Sequence, residues 1–303
     1  MLCASPDVLM DLTTIRIASF AVIALVYMLF DVFNKRNIPT PFAYGALAYG
    51  IALTVLYLNA TTISISLAIA AAVGVLGYVI YRAGQIGAGD IFEFATLSLV
   101  LPMQAYTVFH TVFSPVEMPT IVSLTINTGI AAIIMVPLYY IPKAKLGLKK
   151  PLIDMSNRRN ILKSSAVGIV YAAFVVFLYY IGMNAVGLAV ISLLGIGSFA
   201  TILFQDAMTE SMVSYITWHE IEPEDMVAFN VMKKSDISRI KRSIHSFDRL
   251  VTARMIKEMR EKDFKERIPV YRSAVPLAMP ICVGAVMTLL VGNLIIFILP
   301  LHL

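Results

Sequence analysis

The sequence predicts an all-α, polytopic membrane helix bundle of about eight transmembrane helices, N-terminus outside, with a small cytoplasmic domain before the last helix. Three observations carry that expectation. Of 303 residues, 59% are hydrophobic and 14% charged, and the mean hydropathy of +0.81 lies outside the soluble globular range. Apolar runs near the roughly 20 residues that cross a bilayer recur at 13–33, 41–58, 62–81, 90–109, 119–142, 165–183, 186–204 and 273–300. Every Lys and Arg except Arg16 then falls on one side of the membrane if the N-terminus is outside, and positive residues mark the cytoplasmic side. The predicted location is therefore the cell membrane.

Taken in order, residues 1–112 form the first unit, with four spans. The N-terminal stretch has acids and no basic region, so the first span is expected to be uncleaved. It ends in Asp31 and the turn "NKRNIPT", after which Thr40 suits a helix cap and Pro41 a first helical turn. Asn59-Ala60-Thr61 spells a glycosylation acceptor, close to the bilayer. Residues 113–204 add spans around a basic cytoplasmic loop at 143–163. Residues 205–272 form the cytoplasmic soluble domain, and 273–303 the last span. In the soluble domain, Ile237, Ile240, Ile244, Phe247, Val251 and Met255 recur at three- and four-residue steps, which predicts one amphipathic helix packed on a core.

The inventory excludes several classes. The net charge of +5 follows from topology: the bases interleave with acids and no nucleic-acid module is present. Cys3 and Cys282 lie far apart, so neither a disulfide framework nor a zinc ribbon is expected. "HEIEP" at 219–223 lacks the second histidine of a metalloprotease, and "GIGSF" at 195–199 is not the Gly-x-Ser-Gly of a rhomboid-like serine protease.

Carboxylates inside membrane spans are costly and usually functional. The spans hold Asp31, Asp90 and Glu93 and almost no other ionisable group. Alternating chain direction brings Asp31, at the end of the first span, and Asp90, at the start of the fourth, to the same face at similar depth. Two such aspartates suit a dyad sharing a proton, which cleaves a peptide with an activated water and no covalent intermediate. Gly87 and Gly89 of Gly87-Ala88-Gly89-Asp90 permit unusual backbone angles and close approach of an extended substrate. Helix dipoles favour the anion at Asp90 and the acid form at Asp31. Glu93, one turn on, has three candidate roles: binding a substrate base, tuning the dyad, or hydrogen bonding within the bundle. The acidic run "HEIEPED" at 219–225 is a candidate attractor for a basic peptide.

The tetrad at Gly87–Asp90, preceded by Asp31, Ile38 and Pro39 in a D-x(6)-I-P pattern, resembles the prepilin and preflagellin peptidases, the GxGD intramembrane aspartyl proteases. Thr40 stands where that family usually has asparagine, and Phe92 where bacterial members often have lysine. Pro276 and Pro280 are similar to a P-F-x-P run near the family's C-terminus, with Leu277 in place of phenylalanine. The resemblance implies Asp31 and Asp90 as catalytic residues, with Gly87, Gly89, Ile38, Pro39, Thr40 and Glu93 at the substrate turn. It also implies pilin-like or archaellin precursors as substrates, cut at the cytoplasmic face between a basic leader and an apolar helix. Without a Cys-x-x-Cys pair the archaeal, protease-only branch is favoured, with no metal or cofactor.

The main rival is an ion- or proton-coupled transporter using the paired acids, disfavoured because both sit at one surface and no inverted repeat is visible. The sequence is silent on oligomeric state.

Overall fold

The computed structural model describes residues 6–34, 38–57, 59–83, 86–103, 119–147, 158–223, 225–271 and 277–295. The outer loop at 110–118 and the centre of the basic loop, 148–157, lie outside them. The helices are α1 (Pro6–Phe33), α2 (Thr40–Tyr57), α3 (Ala60–Arg82), α4 (Ala88–Val100), α5 (Thr120–Gly147), α6 (Arg158–Tyr180) and α7 (Ala185–Leu203). The polar segment contributes α8 (Gln205–Met212), β1 (Val213–Ile216), α9 (Lys234–Ser243), α10 (Ala253–Glu261) and β2 (Ile268–Tyr271), and α11 (Ala278–Val291) follows. The protein is an all-α polytopic membrane bundle, a small sheet in its polar segment apart.

Each of the eight predicted spans contains a helix, and among the described residues five are long and apolar enough to cross a membrane: Thr13–Phe33, Ala60–Arg82, Thr120–Leu146, Arg158–Tyr180 and Ala185–Leu203. The fourth span is shorter than the sequence implies. α4 has 13 residues, about 20 Å of rise, and ends where Leu101 turns out of helical geometry ahead of Pro102. α11 ends at Gly292, whose φ of 73° is a left-handed conformation suited to glycine.

α11 lies centrally, packed on α1 and α5 although it comes last in the chain. The main core joins Phe20, Ala24 and Tyr27 of α1, Ala46 and Leu53 of α2, Leu97 and Val100 of α4, Leu124 of α5, and Ile281 and Ala285 of α11. Small residues allow the close approaches. A Cβ on Gly284 of α11 would stand 2.5 Å from Thr128 Oγ1 of α5, and one on Gly77 of α3 would meet Ile91 of α4 at 2.7 Å. With little hydrophobic drive between helices in lipid, such backbone contact and interhelical hydrogen bonds do the packing. Asn127 of α5 supplies three of those bonds: its amide donates to Thr288 Oγ1 at 2.9 Å and to the Gly292 carbonyl at 2.7 Å, and accepts from Leu294 N–H at 3.1 Å. The sequon residue Asn59 has a structural task as the cap of α3, accepting from Thr62 N–H at 2.8 Å.

Arg16 of α1, 7% exposed, donates to the carbonyls of Leu53 in α2 (2.6 Å) and Val100 in α4 (3.1 Å). It thereby ties three helices together at the end opposite Asp31, with its cation at two helix C-terminal ends.

The polar segment has its own core of Ile216, Val227, Ile240, Ile244, Phe247, Val251, Met255, Met259, Ile268 and Val270. β1 and β2 pair antiparallel, from Val213 opposite Tyr271 to Ile216 opposite Ile268. The single amphipathic helix expected over 237–255 is instead α9 and α10 with a non-helical stretch between them. Ile244, Phe247 and Val251 face the core from that stretch, so the apolar spacing survives without a continuous helix. Glu258 of α10 holds the stretch open. Its carboxylate accepts from the Ser246 hydroxyl (2.5 Å), Ser246 N–H (3.0 Å) and His245 N–H (2.8 Å), drawing those amides out of a helical ladder. In the acidic run, the Asp225 carboxylate accepts from Glu222 N–H at 2.9 Å, and Glu224 lies outside the described residues.

Two predictions follow from these anchors. Arg16→Leu leaves the Val100 carbonyl without its donor and removes a second bond to the Leu53 carbonyl, and should destabilise the bundle by about 1–3 kcal/mol, read as a lowered unfolding midpoint in detergent. The Ser246 hydroxyl and amide and the His245 amide hold Glu258 at about 2, well below its ordinary 4.5. A lowered folded-state value stabilises fully above the unfolded value and is lost as pH falls through the folded one. Hydrogen exchange at 244–252 should therefore stay protected above about pH 4.5 and lose protection toward about pH 2, whereas Glu258→Gln should exchange faster already at neutral pH.

Candidate active site

The site lies where the C-terminal end of α1 meets the N-terminal ends of α4 and α11. Asp31, in the last turn of α1, is 7% exposed and accepts a hydrogen bond from Ala278 N–H of α11 at 3.2 Å, across 247 residues of chain. Asp90, in the first turn of α4, folds back to accept from Gly87 N–H at 2.9 Å. Each carboxylate thus takes an orphan amide of a helix N-terminus, which in the low dielectric of the bundle is a strong donor. Asp31 lies close enough for its charge to act on Asp90, and both act on Glu93.

That arrangement alters the dipole argument. α1 alone would disfavour an anion at Asp31, but Asp31 also sits on the positive end of α11, a contact invisible to a reading of its own helix. The asymmetry expected between the two aspartates is correspondingly offset.

The glycines act through space, not through backbone angle. Gly87 has φ −78° and ψ 155°, open to any residue. A Cβ there would stand 3.1 Å from Asp90 Oδ2, so the missing side chain leaves room for the carboxylate to reach the amide. Gly89 is closed to an approaching chain on its Cβ side, because the Ile38 side chain occupies that position and would collide with any Cβ. The Ile-Pro turn and the glycine tetrad, distant in sequence, are therefore one packing unit. The α2 cap falls one residue earlier than expected: α2 starts at Thr40, and its first helical bond runs from Ala43 N–H to the Pro39 carbonyl at 3.1 Å. Phe42 then packs on the Tyr27 and Phe30 rings of α1 at 5.0 Å each, fixing the turn against the helix that carries Asp31.

Glu93 is fully buried, and among the described residues neither of its oxygens has a hydrogen-bonding partner. Sequence reasoning passed over Ala278, whose contribution is a backbone amide; the neighbouring Pro276 and Pro280 marked the region without revealing the contact. It also passed over Tyr27 and Thr96, legible as the residues one turn from Asp31 and Glu93 on the same helix faces.

Fold and site together define a helical membrane protein with two aspartates from separate helices at one end of the bundle. Residues 18–141, running from α1 into α5 and including Asp31 and Asp90, match the model of the Type IV leader peptidase family. The matched stretch is less than half of the chain, and over it the chain is similar to that family. No curated protein and no solved structure matches the chain. α11, which binds Asp31, lies beyond the matched stretch.

The Gly89–Ile38 contact is testable by a double-mutant cycle. Gly89→Ala should cost about 1–3 kcal/mol through overpacking and lower activity. Ile38→Ala in the same chain should recover most of both, seen in unfolding midpoints and cleavage rates; additive losses would show that the two residues do not share this space.

Proposed function

We propose that the chain is a membrane aspartic endopeptidase that removes the short basic leader from archaellin or pilin-like precursors at the cytoplasmic face. The observation that carries this reading is the pairing of Asp31 and Asp90, from α1 and α4, each seated on a helix N-terminal amide and within reach of the other's charge. With one proton shared between them, one carboxylate takes a proton from water as the water attacks the scissile carbonyl, and the other donates to the carbonyl oxygen. Collapse of the tetrahedral intermediate moves a proton to the leaving amine and restores the shared proton.

Charge supports the cytoplasmic side. α11 begins at the aspartate end and directly follows the polar segment, so the segment richest in Lys and Arg emerges beside the site. Ile38, Pro39 and Thr40, Gly87 and Gly89 shape the turn around the aspartates. Substrate reaches the site past them, on a side other than the Gly89 face that Ile38 fills. The resemblance favours archaeal substrates and protease activity alone, with no metal or cofactor. A transporter gains nothing from an acid pair at one end of the bundle instead of the midplane.

The test is cleavage of a purified leader-bearing precursor in liposomes. Wild type should cut after the leader, and Asp31→Asn and Asp90→Asn should each lose at least about a thousandfold in rate while keeping the wild-type unfolding midpoint. Equal cutting by all three proteins would remove the proposed chemistry.

A further inference from the structure

Below the two aspartates the helices carry a second layer of polar groups that the cleavage chemistry leaves unused. On α4, Asp90, Glu93 and Thr96 recur at three-residue steps and share one face. On α1, Tyr27 lies one turn deeper than Asp31. Tyr27, Glu93 and Thr96 are each 0% exposed. Among the described residues neither Glu93 carboxylate oxygen has a hydrogen-bonding partner, and the Tyr27 and Thr96 hydroxyls have none beyond each other. Tyr27 of α1 faces Thr96 of α4, and Glu93 lies one turn from Thr96 on the same helix, within reach of the charges of Asp31 and Asp90.

Two unpaired carboxylate oxygens beside a pair of buried hydroxyls in an apolar bundle have a definite physical meaning. Each would cost stability if left bare, and replacing them with carbon would be the cheaper core. Buried water typically occupies such positions, bridging about three polar groups that the protein leaves unpaired.

We infer that Tyr27, Glu93 and Thr96 form an internal water site one helical turn beneath Asp31 and Asp90, from which the hydrolytic water is delivered. The inference rests on reading the aspartates as hydrolytic. It makes Glu93 a positioning residue: its carboxyl holds the water that an aspartate deprotonates, and it touches neither substrate nor scissile bond. A site within the helix bundle answers a difficulty specific to membrane hydrolysis, since a substrate lying across the aspartates covers them from bulk water.

The experiment compares Glu93→Leu, which removes the carboxyl at similar volume, with Glu93→Gln, which keeps polar atoms at the same reach. Both are made in the full-length protein and assayed on a leader-bearing precursor. Glu93→Leu should lower kcat at least about tenfold with KM unchanged, and Glu93→Gln should stay within about threefold of wild type. The unfolding midpoint of Glu93→Leu should hold or rise, because an apolar side chain replaces an unpaired polar one. Wild-type kcat in Glu93→Leu, a raised KM, or a kcat loss accompanied by a lowered midpoint would each overturn the inference.

A readout independent of activity separates this from the function itself. An experimental structure near 2 Å should show water bridging Glu93 to the Tyr27 and Thr96 hydroxyls, and direct hydrogen bonds from Glu93 to those hydroxyls, with no water between them, would overturn the site. Should wild type cut no precursor, the peptidase reading falls, while the density still decides whether the water is there.

Discussion

A carboxylate at the end of a membrane helix must be given a donor, and both aspartates here receive a backbone amide from a helix N-terminus. For Asp90 the donor is local, three residues back at Gly87. For Asp31 it comes from Ala278, at the far end of the chain. This second bond governs the architecture: it requires the last helix to be placed between α1 and α5, with its N-terminal end level with the aspartates. The glycine contact of α11 with α5 and the three hydrogen bonds from Asn127 hold it at that depth.

At the opposite end of α1, Arg16 performs the complementary task. Its guanidinium answers carbonyls where α2 and α4 finish, whereas Asp31 answers an amide where α11 starts. One helix therefore carries an acid at one end and a base at the other, each satisfying the backbone charge its neighbours expose. The tilt and depth of α1 are fixed by these two points, and with them the position of Asp31 relative to Asp90.

Most of the bundle was legible because apolar length, turn residues and Lys/Arg distribution are written locally. Asp31, Asp90 and the glycine tetrad stood out for the same reason: a carboxylate is conspicuous in an apolar run. Less legible were contacts between distant segments. Gly89 looked like room for a visitor, and only the folded chain shows Ile38 already in it. The donor for Asp31 is an amide that any residue but proline could supply, so Ala278 leaves no trace in side-chain chemistry. In the polar segment the apolar spacing marked the buried residues correctly, yet could not reveal that Glu258 would interrupt the helix by binding the amides of His245 and Ser246.

The pairing of Val213 with Tyr271 places the chain's departure from α8 and its return toward α11 side by side. Structurally the two strands form a short ribbon at which the polar segment both departs and returns. A catalytic framework joined to an appendage in this manner is indifferent to the appendage's size, because the separation of the two ends is set by strand pairing and not by the contents.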